Sequence, residues 1–369
     1  MLEKILKFLP VYFVFHAMRY SIALLQIPHS YVRALFIKPT EAIINEYSAK
    51  HKFIFIYASI EPAISESSQN ILNVVRDLGG YIILVTNSSN YIFDNKAQKL
   101  LDVFIDNKNT GWDFSEYKRA SQYIYRKLSE RYFSKVIYAN DSVFYLPTKL
   151  KADISMLLED EYDAISLFDG LGRYNYHFAS WCISISREIF FDKKIQYFWN
   201  KFFEVKNKFY AIMEGEYAFS KAIFSLSPRT NVVYNGKLLC SMKEMNLDHL
   251  HYMSPKLHDD FFDSRNFMYG GNGLIRDPLN DFIAHNLSEY PIPQTFGPLL
   301  LNFYDLPFIK KDIFWNDFQS LSAIYFISSI LDKKVSKIYS NFMKAYFIKR
   351  GSLSRSKSLI KIINFLGIR

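Results

Sequence analysis

The chain has 369 residues, of which half are apolar and 18% are aromatic, and its formal net charge is +9. This composition excludes a disordered chain, and the length allows one large catalytic domain with smaller extensions. The two cysteines, Cys182 and Cys240, provide neither a disulfide framework nor a zinc-binding spacing. Their scarcity favours a reducing compartment.

The N-terminal segment is apolar from Ile5 to Gln26, but Pro10, His16 and Arg19 interrupt it. The uninterrupted part is shorter than the roughly 20 residues of a membrane-spanning helix, and no cleavage site for a signal peptide follows. We therefore predict an amphipathic helical region over residues 1–50, which faces a membrane or packs on the domain.

The next predicted elements alternate between strands and helices. Apolar runs predict strands at Phe53–Ala58, Tyr81–Thr86, Leu101–Ile105 and Lys135–Ala139. Helical periodicity lies between them, at Glu66–Leu78, from Asn95, and at Asp113–Tyr132. Later strands are predicted at Tyr162–Leu167, Phe178–Ser186 and Thr230–Tyr234, and later helices at Lys194–Lys208 and Gly215–Phe224. The alternation predicts an open, mostly parallel α/β sheet flanked by helices, in a catalytic domain over residues 51–250.

The remainder divides into a loop-rich and helical extension, residues 251–332, and a basic tail, residues 333–369. The tail carries ten Lys or Arg and no acid, with apolar residues at helical spacing. This pattern predicts a basic amphipathic helix on an anionic membrane surface, and the alternative is a solvated helix that caps the domain. No nucleic-acid-binding motif accompanies the charge, so we expect no nucleic-acid partner.

Polar clusters follow two of the predicted strands. Asn140, Asp141 and Ser142 follow the strand that begins at Lys135, and the other cluster opens the helix after Ile105. That second cluster comprises Asn109, Gly111, Asp113 and Lys118. Because parallel strands deliver their carboxyl ends to one edge of a sheet, we predict a single site there for a metal and a nucleotide diphosphate.

Each residue of these clusters has a predicted role and a structural alternative. Asp141 is the predicted ligand of Mg²⁺ or Mn²⁺, with Asn140 or Ser142 beside ribose or water. The alternative is that Asn140 and Asp141 cap a turn into the next helix. Gly111 permits a positive φ or a close backbone approach. Asp113 either helps to hold ribose or sugar, as Asn109 would, or is a helix N-cap. Lys118 is predicted near phosphate.

The chain resembles the rhamnan synthesis F family of polysaccharide glycosyltransferases over about residues 50–315. The resemblance is carried by Asn109–Phe114 with Tyr117 and Lys118, Ala139–Phe144, Tyr176–Trp181, Phe198 with Trp199, Glu216 and Leu306–Lys311. It implies a GT-A-like fold and transfer of rhamnose or a similar sugar from a nucleotide-sugar donor, such as dTDP-rhamnose. The implied acceptor is a growing lipid-linked surface polysaccharide, at the inner, cytoplasmic face of the cell membrane.

The resemblance also implies roles for three further residues. An acidic pair that opens a helix carries the general base in related enzymes, which indicates Glu216 first and Glu214 second. The alternative is that both acids merely interact favourably with the helix dipole. His177 matches the family's histidine and would contact acceptor or diphosphate, unless it is a core histidine.

Two other functions remain open from the sequence. A nucleotidyltransferase would share the sheet and the acidic strand end, but it needs a Gly-rich loop after the first strand. Ala58-Ser59-Ile60-Glu61-Pro62 stands there instead, which argues against that class. A non-catalytic scaffold that binds glycan is the other alternative, and it requires that Glu216 and Asp141 are only structural.

Overall fold

The structure is a computed structural model, which describes residues 9–36, 39–88, 90–108, 111–171, 176–235 and 297–311 and isolated positions from 327 to 341. Its strands are β1 (Thr40–Ile43), β2 (Phe53–Ser59), β3 (Gly80–Thr86), β4 (Val103–Asp106), β5 (Lys135–Asn140), β6 (Val143–Tyr145), β7 (Ala164–Leu171), β8 (Tyr176–Phe178), β9 (Cys182–Ser186), β10 (Thr230–Tyr234) and β11 (Phe308–Lys310).

The helices are α1 (Leu9–Phe36), α2 (Glu66–Asp77), α3 (Asn95–Leu100), α4 (Asp113–Lys127), α5 (Leu150–Met156), α6 (Arg187–Phe191), α7 (Lys193–Lys201), α8 (Lys208–Tyr210), α9 (Ala218–Phe224) and α10 (Gly297–Tyr304). A π-helical turn, Ala211–Tyr217, joins α8 to α9 without a break. The predicted tail and most of the predicted 251–332 extension lie outside the described residues. The division into domains stays a prediction.

The central sheet has the strand order β1-β4-β3-β2-β5-β9-β7-β10, and β8 also pairs with β7. Its central strands β4, β3, β2 and β5 are parallel, as are β7 and β10. Strands β1, β8 and β9 run antiparallel to their neighbours, and β6 and β11 form a separate antiparallel pair. The predicted fold class is confirmed as an open, mostly parallel sheet flanked by helices, and its GT-A-like assignment stays a prediction.

Strand β2 shows why the sheet is covered on both faces. All seven of its residues are buried, and its side chains alternate between two separate parts of the core. Phe55 and Tyr57 belong to the part that contains Ile71 of α2. Ile54 and Ile56 belong to the part that contains Tyr117 and Ile124 of α4, among other residues. The continuous apolar run is therefore the pattern of a central strand between helices.

Some predicted elements differ from the structure. The single strand predicted at Phe178–Ser186 is two strands, β8 and β9, because the chain turns between them and the backbone N–H of Ser180 bonds to Glu216. Helix α4 ends at Lys127 and helix α7 at Lys201, so both are shorter than predicted.

Helix α1 has one packed side and one exposed side. Ala23 is buried, and the guanidinium of Arg19 lies 4.4 Å from the ring centre of Phe209. Exposed apolar residues recur along the other side, at Val14, Met18, Leu24, Leu25, Tyr31, Val32 and Phe36. No helix in the described part of the chain is long and apolar enough to cross a membrane.

Candidate active site

The sheet has a topological switch point between β2 and β5. The chain runs outward from β2 through β3 to β4, and it then returns to place β5 on the opposite side of β2. Loops diverge at such a point, and ligands of open α/β sheets bind in the crevice between them. The loop after β2 and the turn after β5 meet here, so this edge of the sheet is the candidate site.

Asp141 joins those two loops. Its Oδ2 atom accepts hydrogen bonds from Ser59 Oγ at 2.9 Å, Ile60 N at 2.8 Å and Glu61 N at 3.0 Å. Burial raises the pKa of the Asp141 carboxyl, and the ammonium of Lys311 acts in the opposite direction. One oxygen of the carboxylate thus holds the loop after β2, and no described residue donates a hydrogen bond to Oδ1.

The donor atoms at this edge determine how a metal would be held. Among the described residues, no group of three or more His, Cys, Asp or Glu is arranged to bind a metal ion. Asp141 Oδ1 would supply one protein ligand, and phosphate oxygens and water would supply the others. That composition is usual for Mg²⁺ bound together with a phosphorylated substrate.

Asn140 connects the two clusters that the sequence predicted. Its Nδ2 donates to Asp113 Oδ2 at 2.9 Å, and its Oδ1 accepts from the N and the Oγ of Ser142, at 3.0 and 2.5 Å. The structure therefore brings Asn140, Asp141, Ser142 and Asp113 together at one place. Asn109, which belongs to the second cluster, lies outside the described residues.

Asp113 is a half-buried acid at the start of α4, and its Oδ1 accepts a hydrogen bond from the backbone N of Phe114 at 3.0 Å. Trp112 occupies the N-cap position of α4, and Asp113 is the first residue of the helix. Burial and then the charge of Glu216 raise the pKa of Asp113 to about 6, while Lys310 lowers it. The alternative that Asp113 is the N-cap residue does not hold, because Trp112 occupies that position and Asp113 Oδ2 accepts the hydrogen bond from Asn140.

Gly111 shapes the entry into α4. Its φ is +71°, which confirms the predicted positive φ. A Cβ at this position would lie 1.7 Å from Ser115 Oγ, so a side chain would not fit without moving the first turn of the helix. Gly111 therefore lets the chain pass close to α4 before Asp113.

Lys118 is placed away from the phosphate position that the sequence predicted. Its Nζ donates to the backbone oxygen of Phe202 at 2.7 Å, just after the end of α7. Burial lowers the pKa of Lys118, and the nearby carboxylate of Glu204 raises it. The residue lies on the side of α4 that packs against α7, one position beyond the buried Tyr117, and it ties the two helices together.

The predicted base, Glu216, lies within a helix and does not open one. Glu214 and Glu216 both belong to the π-helical turn Ala211–Tyr217, which corrects the prediction of a helix starting at Gly215. A Cβ on Gly215 would lie 2.7 Å from the ring of Phe114, so glycine allows this turn to pack against the start of α4. π-Helical turns are often found at functional sites.

The two glutamates of that turn point to different partners. Glu216 Oε1 accepts a hydrogen bond from Ser180 N at 2.7 Å, and its Oε2 lies 3.9 Å from His177 Nε2. Glu214 Oε1 accepts a hydrogen bond from the hydroxyl of Tyr20 in α1. The structure therefore brings Glu216 and His177 together near Asp113, and it directs Glu214 elsewhere.

Two lysines at the site were not predicted from the sequence. Lys310 Nζ donates to Ser142 Oγ at 2.7 Å, and the buried Lys311 Nζ donates to Glu61 Oε1 at 2.5 Å. Lys310 is the last residue of β11 and Lys311 follows it, and β11 pairs with β6 directly after the Asn140–Ser142 turn. The stretch Leu306–Lys311 carried part of the family resemblance, and this was the signal that could have indicated them.

Glu116 is a further acid that sequence analysis did not select. It is only 1% exposed, and its Oε1 has no hydrogen-bond partner among the described residues. Burial raises the pKa of Glu116 well above its ordinary value, and the charges of Asp141 and Asp113 add to this effect. Nothing in the sequence distinguishes it from the exposed acids that usually occupy a first helical turn.

Comparisons with known proteins add a distant structural similarity. No protein-family model and no curated protein match the chain. A solved structure of the mannosyltransferase PcManGT from Pyrobaculum calidifontis, in complex with GDP-Man and Mn²⁺, matches with 12% sequence identity and a TM-score of 0.31. The match covers 93% of this chain and 98% of that chain. The resemblance to the rhamnan synthesis F family stays a prediction.

Proposed function

We propose that the protein is a glycosyltransferase that moves rhamnose or a similar sugar from a nucleotide-sugar donor to a growing lipid-linked surface polysaccharide. One observation carries the proposal: the switch point gathers Asp141, Asn140 and Asp113 beside a separate carboxylate, Glu216, that is held by a backbone N–H. A transferase of this kind needs two such places, one for the donor diphosphate and one for the acceptor hydroxyl.

The donor would lie at the edge formed by β2 and β5. Asn140 and Ser142 would contact its ribose or bound water. The segment before α4 that contains Gly111 would contact the ribose or the sugar. A divalent cation, Mg²⁺ or Mn²⁺, would be held by Asp141 with phosphate oxygens and would supply positive charge to the departing diphosphate. Assays with different donors identify the nucleotide and the sugar, which are those of dTDP-rhamnose or of another nucleotide sugar.

Glu216 would be the general base. The backbone N–H of Ser180 fixes one carboxylate oxygen, and the other lies on the side of His177. As the acceptor oxygen attacks the anomeric carbon, its proton passes to Glu216. The bond from that carbon to the diphosphate oxygen breaks, and its electron pair leaves with the nucleoside diphosphate. A single displacement of this kind inverts the configuration of the sugar.

The proposed acceptor is bound to a lipid, so the enzyme would work at the cytoplasmic face of the membrane. The exposed apolar side of α1 supports this location, since the helix carries Arg33 near its end and residues 9–36 include no acid. A helix with an apolar side and basic residues suits an anionic membrane surface. The basic tail predicted over residues 333–369 would add to the attraction.

The test supplies the purified protein with UDP-, GDP- and dTDP-sugars, Mg²⁺ or Mn²⁺, and a lipid-linked oligosaccharide acceptor. We expect sugar transfer from one nucleotide class, and loss of transfer in Asp141→Asn and Glu216→Gln. In a parallel assay that supplies a nucleoside triphosphate and a sugar phosphate, release of pyrophosphate would instead indicate a nucleotidyltransferase. Glycan binding without turnover of any donor would indicate a scaffold.

A further inference from the structure

The pairing of β11 with β6 places two adjacent lysines on either side of the Asn140–Ser142 turn. Lys310 lies opposite Val143 in the ladder, and the backbone N of Lys311 donates to Ser142 O at 2.9 Å. The two ammonium groups bond to different partners, that of Lys310 to Ser142 and that of Lys311 to Glu61.

Lys311 is part of the framework beneath the site. Its side chain is buried, its ammonium bonds to Glu61, and it lies 5.0 Å from the ring centre of Phe144. The backbone N of Glu61 is in turn held by Asp141. This lysine thus fixes the loop after β2 against the turn after β5.

Lys310 reaches the other, partly exposed side of the turn. Its Nζ lies 2.7 Å from Ser142 Oγ and 5.9 Å from the ring centre of Trp181. Its charge also acts on Asp113, whose carboxylate accepts a hydrogen bond from Asn140. Hydrogen bonds through Ser142 and Asn140 therefore connect the ammonium of Lys310 with Asp113 at the switch point.

We propose that Lys310 binds the diphosphate of the donor and stabilises the negative charge that develops on it as the sugar departs. The inference rests on the proposed glycosyl transfer and adds a catalytic residue to it. An ammonium makes charge-assisted hydrogen bonds to phosphate oxygens, and such bonds strengthen as the leaving group gains charge. The Ser142 hydroxyl holds the ammonium in position before the donor arrives.

The experiment compares binding of nucleoside diphosphates with binding of the matching nucleosides. UDP, GDP and dTDP, and then uridine, guanosine and thymidine, are titrated calorimetrically into wild type, Lys310→Met and Lys310→Arg, with Mn²⁺ and with EDTA. Lys201→Met is the control, because it removes one positive charge from an exposed position of α7. Thermal unfolding shows whether each variant is folded.

We expect Lys310→Met to bind the preferred diphosphate about 10- to 100-fold more weakly while its nucleoside affinity is unchanged. Lys310→Arg should recover part of the loss, and Lys201→Met should match wild type. Transfer at saturating donor should fall in Lys310→Met as well. Ser142→Ala keeps the charge of Lys310 but removes its hydroxyl partner, so it should weaken diphosphate binding several-fold.

Two contrary results are distinguishable. Wild-type protein that binds no nucleoside diphosphate more tightly than its nucleoside would overturn the nucleotide-sugar function itself. Wild-type protein that shows this preference, together with a Lys310→Met variant that keeps it in full, would overturn the role of Lys310 alone. If Lys310→Met does not fold, Lys310→Gln takes its place, and a folded Lys310→Gln variant that keeps the full preference for the diphosphate would overturn that role.

Discussion

The hydroxyl of Tyr20 donates a hydrogen bond to Glu214 Oε1 at 2.5 Å and so joins helix α1 to the π-helical turn that carries Glu216. This bond and its surroundings raise the pKa of Tyr20 to about 12, so the hydroxyl remains a donor throughout the ordinary pH range. The turn is thereby held on both sides, by α1 through Glu214 and by Ser180 through Glu216. The two glutamates consequently have separable roles.

Glu216→Gln should reduce turnover by about 10²- to 10⁴-fold, because the amide cannot take the acceptor proton. Donor affinity should stay close to wild type, since the Gln oxygen can still accept the Ser180 N–H bond. Steady-state kinetics with varied donor and acceptor separate these effects. Glu214→Gln is the matched control and should retain most of the transfer activity. Weak donor binding with intact turnover in Glu216→Gln would place this residue on the donor side instead.

Tyr20→Phe removes the link between α1 and the π-helical turn without changing the size of the side chain much. We expect a loss of roughly 1 kcal/mol in the free energy of unfolding, because the partner carboxylate loses a hydrogen bond. Hydrogen exchange in α1 should accelerate, and urea denaturation measures the stability. Unchanged exchange in α1 would show that its other contacts hold the helix without Tyr20.

Asp141→Asn should abolish detectable transfer and also destabilise the protein. The loss of stability follows because three donors converge on Oδ2, and the amide presents them with a neutral acceptor. Ser59→Ala is the control: it removes one donor, should cost about 1 kcal/mol, and should leave most activity in place. Thermal unfolding and transfer assays are run on both variants. Near-normal transfer by Asp141→Asn at saturating Mn²⁺ would contradict the donor site.

Glu116→Gln should stabilise the protein at neutral pH. The pKa of Glu116 is raised in the folded state, so the folded state binds more protons than the unfolded one above the ordinary value of 4.5. The stability of wild type therefore falls as pH rises from that value toward the folded pKa. Urea denaturation at pH 4, 6 and 8 should show a gain in Glu116→Gln that grows with pH. A gain that is equal at all three values would contradict this account.

The pKa of about 6 at Asp113 predicts an acid limb in the pH profile of kcat/KM. Protonation removes the negative charge of Asp113, the residue that accepts a hydrogen bond from Asn140. Transfer should therefore fall as pH drops through about 6. Asp113→Asn should flatten that limb, and Lys310→Met should move it to higher pH, because Lys310 lowers the pKa of Asp113. An acid limb that is the same in all three proteins would assign it to another group.

Anionic vesicles test the exposed side of α1. The double variant Leu25→Glu with Phe36→Glu should lower cosedimentation with phosphatidylserine vesicles, because it removes two exposed apolar contacts and adds negative charge. Tyr132→Glu is the control, since Tyr132 is equally exposed but lies away from α1 in the loop before β5. Equal cosedimentation of the double variant and wild type would leave α1 without a role in membrane binding.

The central sheet could be predicted from local patterns because strands such as β2 and β3 are continuous apolar runs of strand length. The meeting of Asn140 with Asp113 also followed from the sequence, because parallel strands deliver their carboxyl ends to one edge of a sheet. The π-helical turn could not be predicted, because Glu214-Gly215-Glu216 has the same spacing at the start of an α-helix. Its form depends on contact between Gly215 and Phe114, which are distant in sequence.

The direction of Lys118 was equally hidden from the sequence. Its position on α4 fixes which side of the helix it occupies, but the packing of α7 decides what that side meets. Lys310 and Lys311 were missed for a related reason. Their place at the site depends on a strand pair whose members are far apart in the chain, and no local pattern encodes that pairing.

The contact between Lys310 and Ser142 spans 168 residues. During synthesis the acidic end of the sheet is made long before the lysine that completes its rim, and domains begin to fold from the N-terminus as they emerge. A nascent chain that has folded β2 to β5 would therefore expose carboxylates without the cations beside them. Nucleotide binding would then begin only after β11 has paired with β6, which is a late event in the folding of the protein.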